Sequence, residues 1–256
     1  MIHKIQEILS EFESISLKQM DSVKLMDRTD TKFTFTLIDL LQILPNLLNE
    51  YQALEIEGKK MSSYKTLYYD TPELKLYNAH HNGKLNRYKI RHRTYLETGV
   101  GFLEVKFKSN KGRTVKERIS TLIPESNWDQ KQINFLNSKL PFSPETLLPV
   151  IWVNYTRITL VSKSSAERLT IDINLNFNDS DNKIDLTNLV IAEVKRAGKA
   201  ESIFIKKLKQ KHIREGSISK YCMAVALSKK NVRKNNFKER LLNLKKIMSY
   251  DFIASN

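Results

Sequence analysis

The sequence predicts an α+β protein: about eight antiparallel strands closed into a tunnel-like β-barrel with a cationic lumen, helices packed outside and at both termini. Three observations predict it. Short segments with period-2 texture fill the middle of the chain. Helical apolar spacing clusters outside that middle. The basic residues fall in rows on single strand faces.

Ile5, Ile8, Leu9 and Phe12 predict a helix over residues 2–15. A strand Arg28–Phe35 follows, and Thr36 caps a helix through Leu37, Leu40, Leu41 and Leu44 that Pro45 must kink or split. Next come strands Ser63–Asp70, Leu85–Tyr95, Gly101–Lys108 and Arg113–Ser120, the last two joined by a tight hairpin turn. A helix over 127–139, opened by Asn127, leads to strands Val150–Leu160, Arg168–Phe177 and Leu189–Val194. Helices Ser202–Arg214 and Ser219–Ser228 close the core. With no internal repeat, the chain reads as a single domain over 1–256, its core at about 25–228 and a basic helical tail at 229–256.

The 256 residues are 41% hydrophobic, enough to bury a substantial core, and carry a net charge of +15. The lone Cys222 excludes an intramolecular disulfide and a Cys-based zinc cluster. Glu7, Glu11 and Glu13 interrupt the apolar run a signal peptide needs, and no stretch reaches the ~18 apolar residues of a membrane helix. A soluble, cytoplasmic protein is expected.

The charge is concentrated. Residues 82–118 hold six Lys and five Arg against three Glu, and residues 228–247 hold eight Lys or Arg against Glu239, which accounts for the whole excess. Such density points to a polyanionic partner: nucleic acid, an anionic membrane or phosphate chains. In 228–247 the charges flank Phe237, Leu241, Leu242, Leu244, Ile247 and Met248 at helical spacing. That segment is either a solvated helix face or a peripheral contact with membrane or nucleic acid through about 229–250.

The strand rows are more specific. Arg87, Lys89, Arg91 and Arg93 share one face, as do Glu104, Lys106 and Lys108, Lys116 and Arg118, Arg28, Asp30 and Lys32, Arg168, Thr170 and Asp172, and Glu193 and Lys195. A wet sheet face normally mixes signs, and four like charges on one strand destabilise a sheet unless an anion lies against them. Glu104, Asp172 and Glu193 are either charge balance or ligands for Mg²⁺ or Mn²⁺, hard cations that bridge to substrate phosphates. Phosphoryl transfer asks a protein mainly for positioning, a metal and cations around the non-bridging oxygens. There is no Gly-rich Lys-Ser/Thr loop, and seven glycines leave little room for a dinucleotide fingerprint. His80 and His81 project divergently, His3, His92 and His212 stand alone, and Cys222 sits among core-type residues.

In order along the chain, Arg28-Thr-Asp-Thr-Lys-Phe33, Tyr68-Tyr-Asp-Thr71, Lys89-Ile-Arg-His-Arg-Thr-Tyr95, Phe102-Leu-Glu-Val-Lys106, Lys116-Glu-Arg118, Tyr155-Thr-Arg157, Arg168-Leu-Thr-Ile-Asp172, Glu193-Val-Lys195 and Ser219-Lys-Tyr221 resemble the VTC domain. This is the polyphosphate polymerase module of the triphosphate tunnel metalloenzyme (CYTH-like) superfamily. The resemblance implies a tunnel in which metal-bound triphosphate meets a growing polyphosphate chain, with ATP as donor and no obligatory nucleic acid. It implies phosphate-coordinating roles for Lys32, Arg91, Arg93, Lys106, Lys116, Arg157, Arg168 and Lys220, and a metal-anchoring role for Glu193. Asp30, Lys89, Lys108, Arg118 and Lys195 become lumen neighbours, with Glu104 and Asp172 as further metal candidates. The rival expectations are a tunnel triphosphatase acting on inorganic or nucleoside triphosphate, and a non-catalytic polyphosphate- or nucleic-acid-binding protein.

Overall fold

The computed structural model describes residues 1–22, 28–121, 128–180, 182–198 and 201–249. Its strands are β1 (Ser14–Ile15), β2 (Arg28–Thr36), β3 (Tyr51–Leu54), β4 (Ser62–Asp70), β5 (Arg87–Tyr95), β6 (Gly101–Lys108), β7 (Thr114–Ser120), β8 (Leu148–Ser162), β9 (Glu167–Asn178), β10 (Lys183–Leu186), β11 (Leu189–Ala197) and β12 (Glu215–Gly216). The helices are α1 (Ile2–Ser10), α2 (Leu17–Ser22), α3 (Leu37–Ile43), α4 (Lys75–His81), α5 (Gln130–Lys139), α6 (Ile203–Gln210), α7 (Lys220–Ser228) and α8 (Lys238–Ser249). No described helix is long and apolar enough to cross a membrane.

One sheet organises the molecule, in the order β12-β2-β11-β9-β8-β4-β5-β6-β7, antiparallel throughout. Strand β3 adds to β8, β10 to β9, and β1 pairs with β3 in parallel. The expected closure into a barrel is not made by hydrogen bonds: the path ends at β12 and β7, which do not pair with each other. The two-residue β12 offers little ladder, and β7 carries Lys116 and Arg118, the kind of charge that blunts an edge strand. The sheet still curls, because Lys32 of β2 and Lys106, Lys108 and Thr114 of β6 and β7 line one cavity.

Alternation sorts the side chains. On the outer face Phe33, Phe35, Ile158, Leu160, Leu169, Ile171, Val190, Ala192 and Val194 pack under α1, α3 and α6. Leu67, Ile90, Leu103 and Val105 do the same under α5. A bulge resets β9: Asn174 has φ +52, after which Leu175 and Phe177 turn to the inner side, where α7 and α8 cover them. The inner face is thus apolar where the C-terminal helices lie and polar elsewhere.

Several boundaries differ from expectation. Helix α1 stops at Ser10, since Ser14 and Ile15 pair with Ala53 and Leu54. Pro45 does split its helix, converting Leu44–Leu47 to a 3₁₀ turn. Helix α6 ends at Gln210, just before His212 turns left-handed at φ +57. Asn127 lies outside the described residues; Asp129 caps α5 in a capping box with Gln132. The turn between β6 and β7 forms as expected, with Gly112 at φ +77 and Ser109 N–H donating to Arg113 O at 2.9 Å.

Candidate functional site

The register strings the sequence's separate charge rows into one inner surface. Lys32 lies opposite Glu193, which lies opposite Thr170; Asp30 pairs with Lys195, and Lys195 with Arg168. Arg157 faces Asp172 across the β8–β9 ladder. On the other wall Arg87 pairs with Lys108, Lys89 with Lys106 and Arg91 with Glu104, while Lys106 and Glu104 face Lys116 and Arg118. Lys220 arrives from α7. The Ser219 hydroxyl accepts from Cys222 N–H to cap that helix and also accepts from the Lys89 ammonium at 2.8 Å.

Three carboxylates form an ion-paired belt, each held by two cations. Asp172 accepts from Arg157 at 2.6 and 2.8 Å and from Lys220 at 2.5 Å. Glu104 accepts from Arg91 at 2.6 Å and lies 2.5 Å from Lys116. Glu193 pairs with Lys32 and, at 3.4 Å, with Lys195. Burial opposes ionisation of all three, but the paired cations outweigh it. Glu104 and Glu193 are held down at about 2, and Asp172 well below the usual carboxylate range.

Aromatic rings floor this belt. Tyr64 and Tyr155 stack at 5.1 Å; the Arg157 guanidinium lies 5.2 Å from Tyr64 and the Lys220 ammonium 4.7 Å from Tyr155. Arg93 sits over the same pair, 5.3 Å from Tyr64, and its buried Nε meets no hydrogen-bond acceptor among the described residues. The sequence named Tyr155 only as part of a motif. Its phase with Arg157 on one strand was the signal for this floor.

Toward one end, the belt opens into a cavity of about 650 Å³. Lys32, Arg87, Lys89, Lys106, Lys108 and Arg240 line it, with Asp30 as the carboxylate. Burial first, then the neighbouring Lys89 and Arg91 charges, push Lys106 down to about 8, although its side chain reaches cavity solvent. Burial lowers Lys89 as well.

Two candidates stand aside from the belt. Arg168 is on the inner face but donates to Met20 O at 2.9 Å. Arg118, on the edge strand, stacks over Phe102 at 4.2 Å. The side chain of Arg28 lies outside the described residues. His80 and His81 line the cavity, and burial holds His80 at about 3, neutral.

Metal binding was expected at Glu193, with Glu104 and Asp172 as further candidates. Among the described residues no three His, Cys, Asp or Glu side chains gather into a metal-holding group. The donor set therefore fits a cation carried by one carboxylate and substrate oxygens, as Mg²⁺ commonly is, and not an all-protein cage. Glu193 qualifies because it is half-open to the lumen.

No curated protein matches the sequence. The fold is similar to that of a putative adenylyl cyclase, HpAC1 from Hippeastrum, described as having a dominant triphosphatase activity. The TM-score is 0.52 at 12% identity, covering 80% of this chain and 98% of that one. A putative adenylate cyclase from Bacillus halodurans aligns with a TM-score of 0.44 at 13% identity, over 76% of this chain and 96% of its own. Residues 27–229 match the VTC domain. The chain belongs to the VTC domain family.

Proposed function

We propose that this protein is a polyphosphate polymerase that uses ATP and Mn²⁺ or Mg²⁺ in the cytoplasm. A terminal phosphate oxygen of the acceptor chain attacks the γ-phosphorus of ATP. A new P–O bond forms as the bond to the β–γ bridging oxygen breaks, and ADP leaves with that electron pair. The bound metal would neutralise charge on the transferring phosphates, anchored by Glu193.

The chain's own residues supply the rest. Arg91, Arg93, Lys116, Arg157 and Lys220 surround the lumen with fixed donors for non-bridging oxygens. Their carboxylate partners and the tyrosine floor hold them in place before substrate arrives, so little reorganisation remains for the reaction. Lys32 links this belt to the cavity, touching Glu193 on one side and lining the opening on the other.

The observation that carries the reading is the inner-face imbalance: among the described residues, the lysines and arginines of the paired rows outnumber Asp30, Glu104, Asp172 and Glu193. A hydrolase needs to hold one triphosphate and activate water, whereas a polymerase must hold two polyanions together. Purified protein incubated with ATP and Mn²⁺, with and without a short polyphosphate primer, decides between them on a gel. A phosphate ladder abolished by chelation is expected. Orthophosphate without polymer would instead make the protein a tunnel triphosphatase.

A further inference from the structure

Helix α8 carries more apolar residues than its packing uses. Leu244 and Ile247 are buried, with Phe237 just before the helix, in the core that α7 and α8 cover. At about 100° of turn per residue, Leu242 lies on the opposite side, 50% exposed, and Leu241 lies between the two faces, half-buried. The side chains one turn from Leu242 are Lys238, Glu239, Lys245 and Lys246, all exposed, so three cations and one carboxylate surround a bare leucine. Arg240, which lines the cavity at the end of the belt, projects from the far side of the helix from Leu242. The exposed stripe and that cavity are therefore separate surfaces.

Beside the stripe, the end of α7 leaves a groove of about 410 Å³. Ala226, Leu227, Leu241 and Leu242 make its lining apolar, and Lys234, Lys238 and Lys245 stand among them, with no carboxylate and no aromatic ring among the described lining residues. The charge extends past the groove, since residues 228–247 hold eight Lys or Arg against Glu239. A helix face that meets only water needs the lysines but not the leucines, and exposed apolar residues ringed by charge mark a contact surface. Each class of partner makes different demands on it. A nucleic acid would engage the lysines, but leucines gain nothing from a phosphate backbone, and no ring is present for bases to stack on. An acidic peptide would fill the groove and leave most of the surrounding charge unused. An anionic bilayer uses both features, because lysines reach its headgroups while leucines enter the boundary with its acyl chains.

We propose that the exposed stripe of α8, Lys238, Leu242 and Lys245 with the groove beside it, docks the protein on an anionic lipid bilayer. The helix lies along the surface, with its leucines at the headgroup–acyl boundary and its lysines extended back to the headgroups. The contact is peripheral and reversible: a few leucines or a few lysines alone hold a protein weakly, and the two together suffice. The surface serves the protein whichever phosphoryl chemistry its lumen performs, so this inference does not rest on the polymerase reading.

The test is co-flotation of the full-length protein with vesicles of phosphatidylcholine alone and of phosphatidylcholine and phosphatidylserine mixed three to one. Binding at least about tenfold tighter to the mixed vesicles is expected, weakening as salt is raised. Lys238→Gln and Lys245→Gln should each weaken it about fivefold, the effect of one cation at an anionic surface. Leu242→Ser should weaken it by about as much, and that loss should persist at high salt. Lys209→Gln on α6 and Leu17→Ser on α2, exposed residues of the same types elsewhere, should change nothing. Unchanged thermal melts would show that the variants fold. Leu242→Trp should report insertion directly, through a blue shift of its emission on the mixed vesicles alone. Equal binding to both vesicles, no binding to either, or no loss with Leu242→Ser would overturn the docking face. So would tighter binding of a single-stranded RNA or a polyglutamate peptide that Lys238→Gln and Leu242→Ser abolish.

Discussion

The belt and the opening are built on the same face of the same sheet, yet they solve opposite electrostatic problems. In the belt, Glu104, Asp172 and Glu193 each sit between two cations, and the result is a rigid, pre-paired lattice. In the opening, Lys89, Lys106, Lys108 and Arg87 face one another across the strands, with Asp30 as the carboxylate. The difference teaches where anions are needed. A paired lattice is stable empty and positions donors, whereas an unpaired row stores repulsion that only an incoming polyanion relieves.

The largest effect should come from the belt's most open carboxylate. Glu193→Ala is expected to lower metal-dependent turnover about 10²–10³-fold, as removal of a single preorganised electrostatic group does elsewhere. An unchanged circular dichroism spectrum would show that the fold survives. Turnover that stays at the wild-type level across a Mn²⁺ titration would break the distinction, because the belt would then be scaffolding alone. Asp172→Ala tests the scaffolding itself. It strips the half-buried Arg157 and Lys220 of their shared carboxylate, and chemical denaturation should show a loss of about 3 kcal/mol.

Acid should separate the two regions in the wild type. Folding lowers Glu104 and Glu193 from 4.5 to about 2. Their stabilisation is therefore complete above about pH 4.5 and lost as pH falls toward 2. Glu104→Gln should flatten the stability profile across that window, measured by thermal melts at a series of pH values.

Base should act on the opening instead. Lys106, at about 8, is largely uncharged by pH 9 in the free protein, and a phosphate chain must then restore its proton. Long-chain affinity should fall by up to about tenfold per pH unit above 8. Lys106→Arg should abolish the fall, since a guanidinium stays charged there. A pH-independent affinity in the wild type would show that Lys106 does not meet the chain.

Much of this arrangement was legible because strand alternation is rigid. Once Arg87 to Arg93 alternate with Tyr88, Ile90 and His92, their face is decided. Which rows oppose which was not legible, since register depends on partners far apart in sequence: Lys32 meets Glu193 from 161 residues away. Helix α4 escaped notice for a related reason. It starts after Leu74 in a left-handed conformation, and its cap is Asp70, whose buried carboxylate accepts from Leu76 and Tyr77 N–H at 2.8 Å each. The N-cap position itself is held by Leu74, which makes no side-chain cap, so the usual signal one residue before the helix is missing. In the sequence the tail is equally a solvated basic helix face or a peripheral contact with membrane or nucleic acid, because only tertiary packing on Tyr77 and His81 reveals which of its charges faces the cavity.

The smallest effect sits at the joint between the two regions. Ser219 caps α7, whose first residue is Lys220 of the belt, and the same hydroxyl accepts from Lys89 of the opening. Ser219→Ala should cost about 1 kcal/mol in denaturant unfolding, the usual loss for a deleted N-cap. Ser219→Thr should restore most of it, since threonine keeps the acceptor. If the joint also transmits position, the alanine variant should raise the apparent KM for a long primer more than it lowers kcat. The hydroxyl holds Lys89 to the helix that carries Lys220, without being aimed at the transferring phosphate. An equal loss in both parameters would mean that α7 shifts as a whole and Ser219 acts only as a cap.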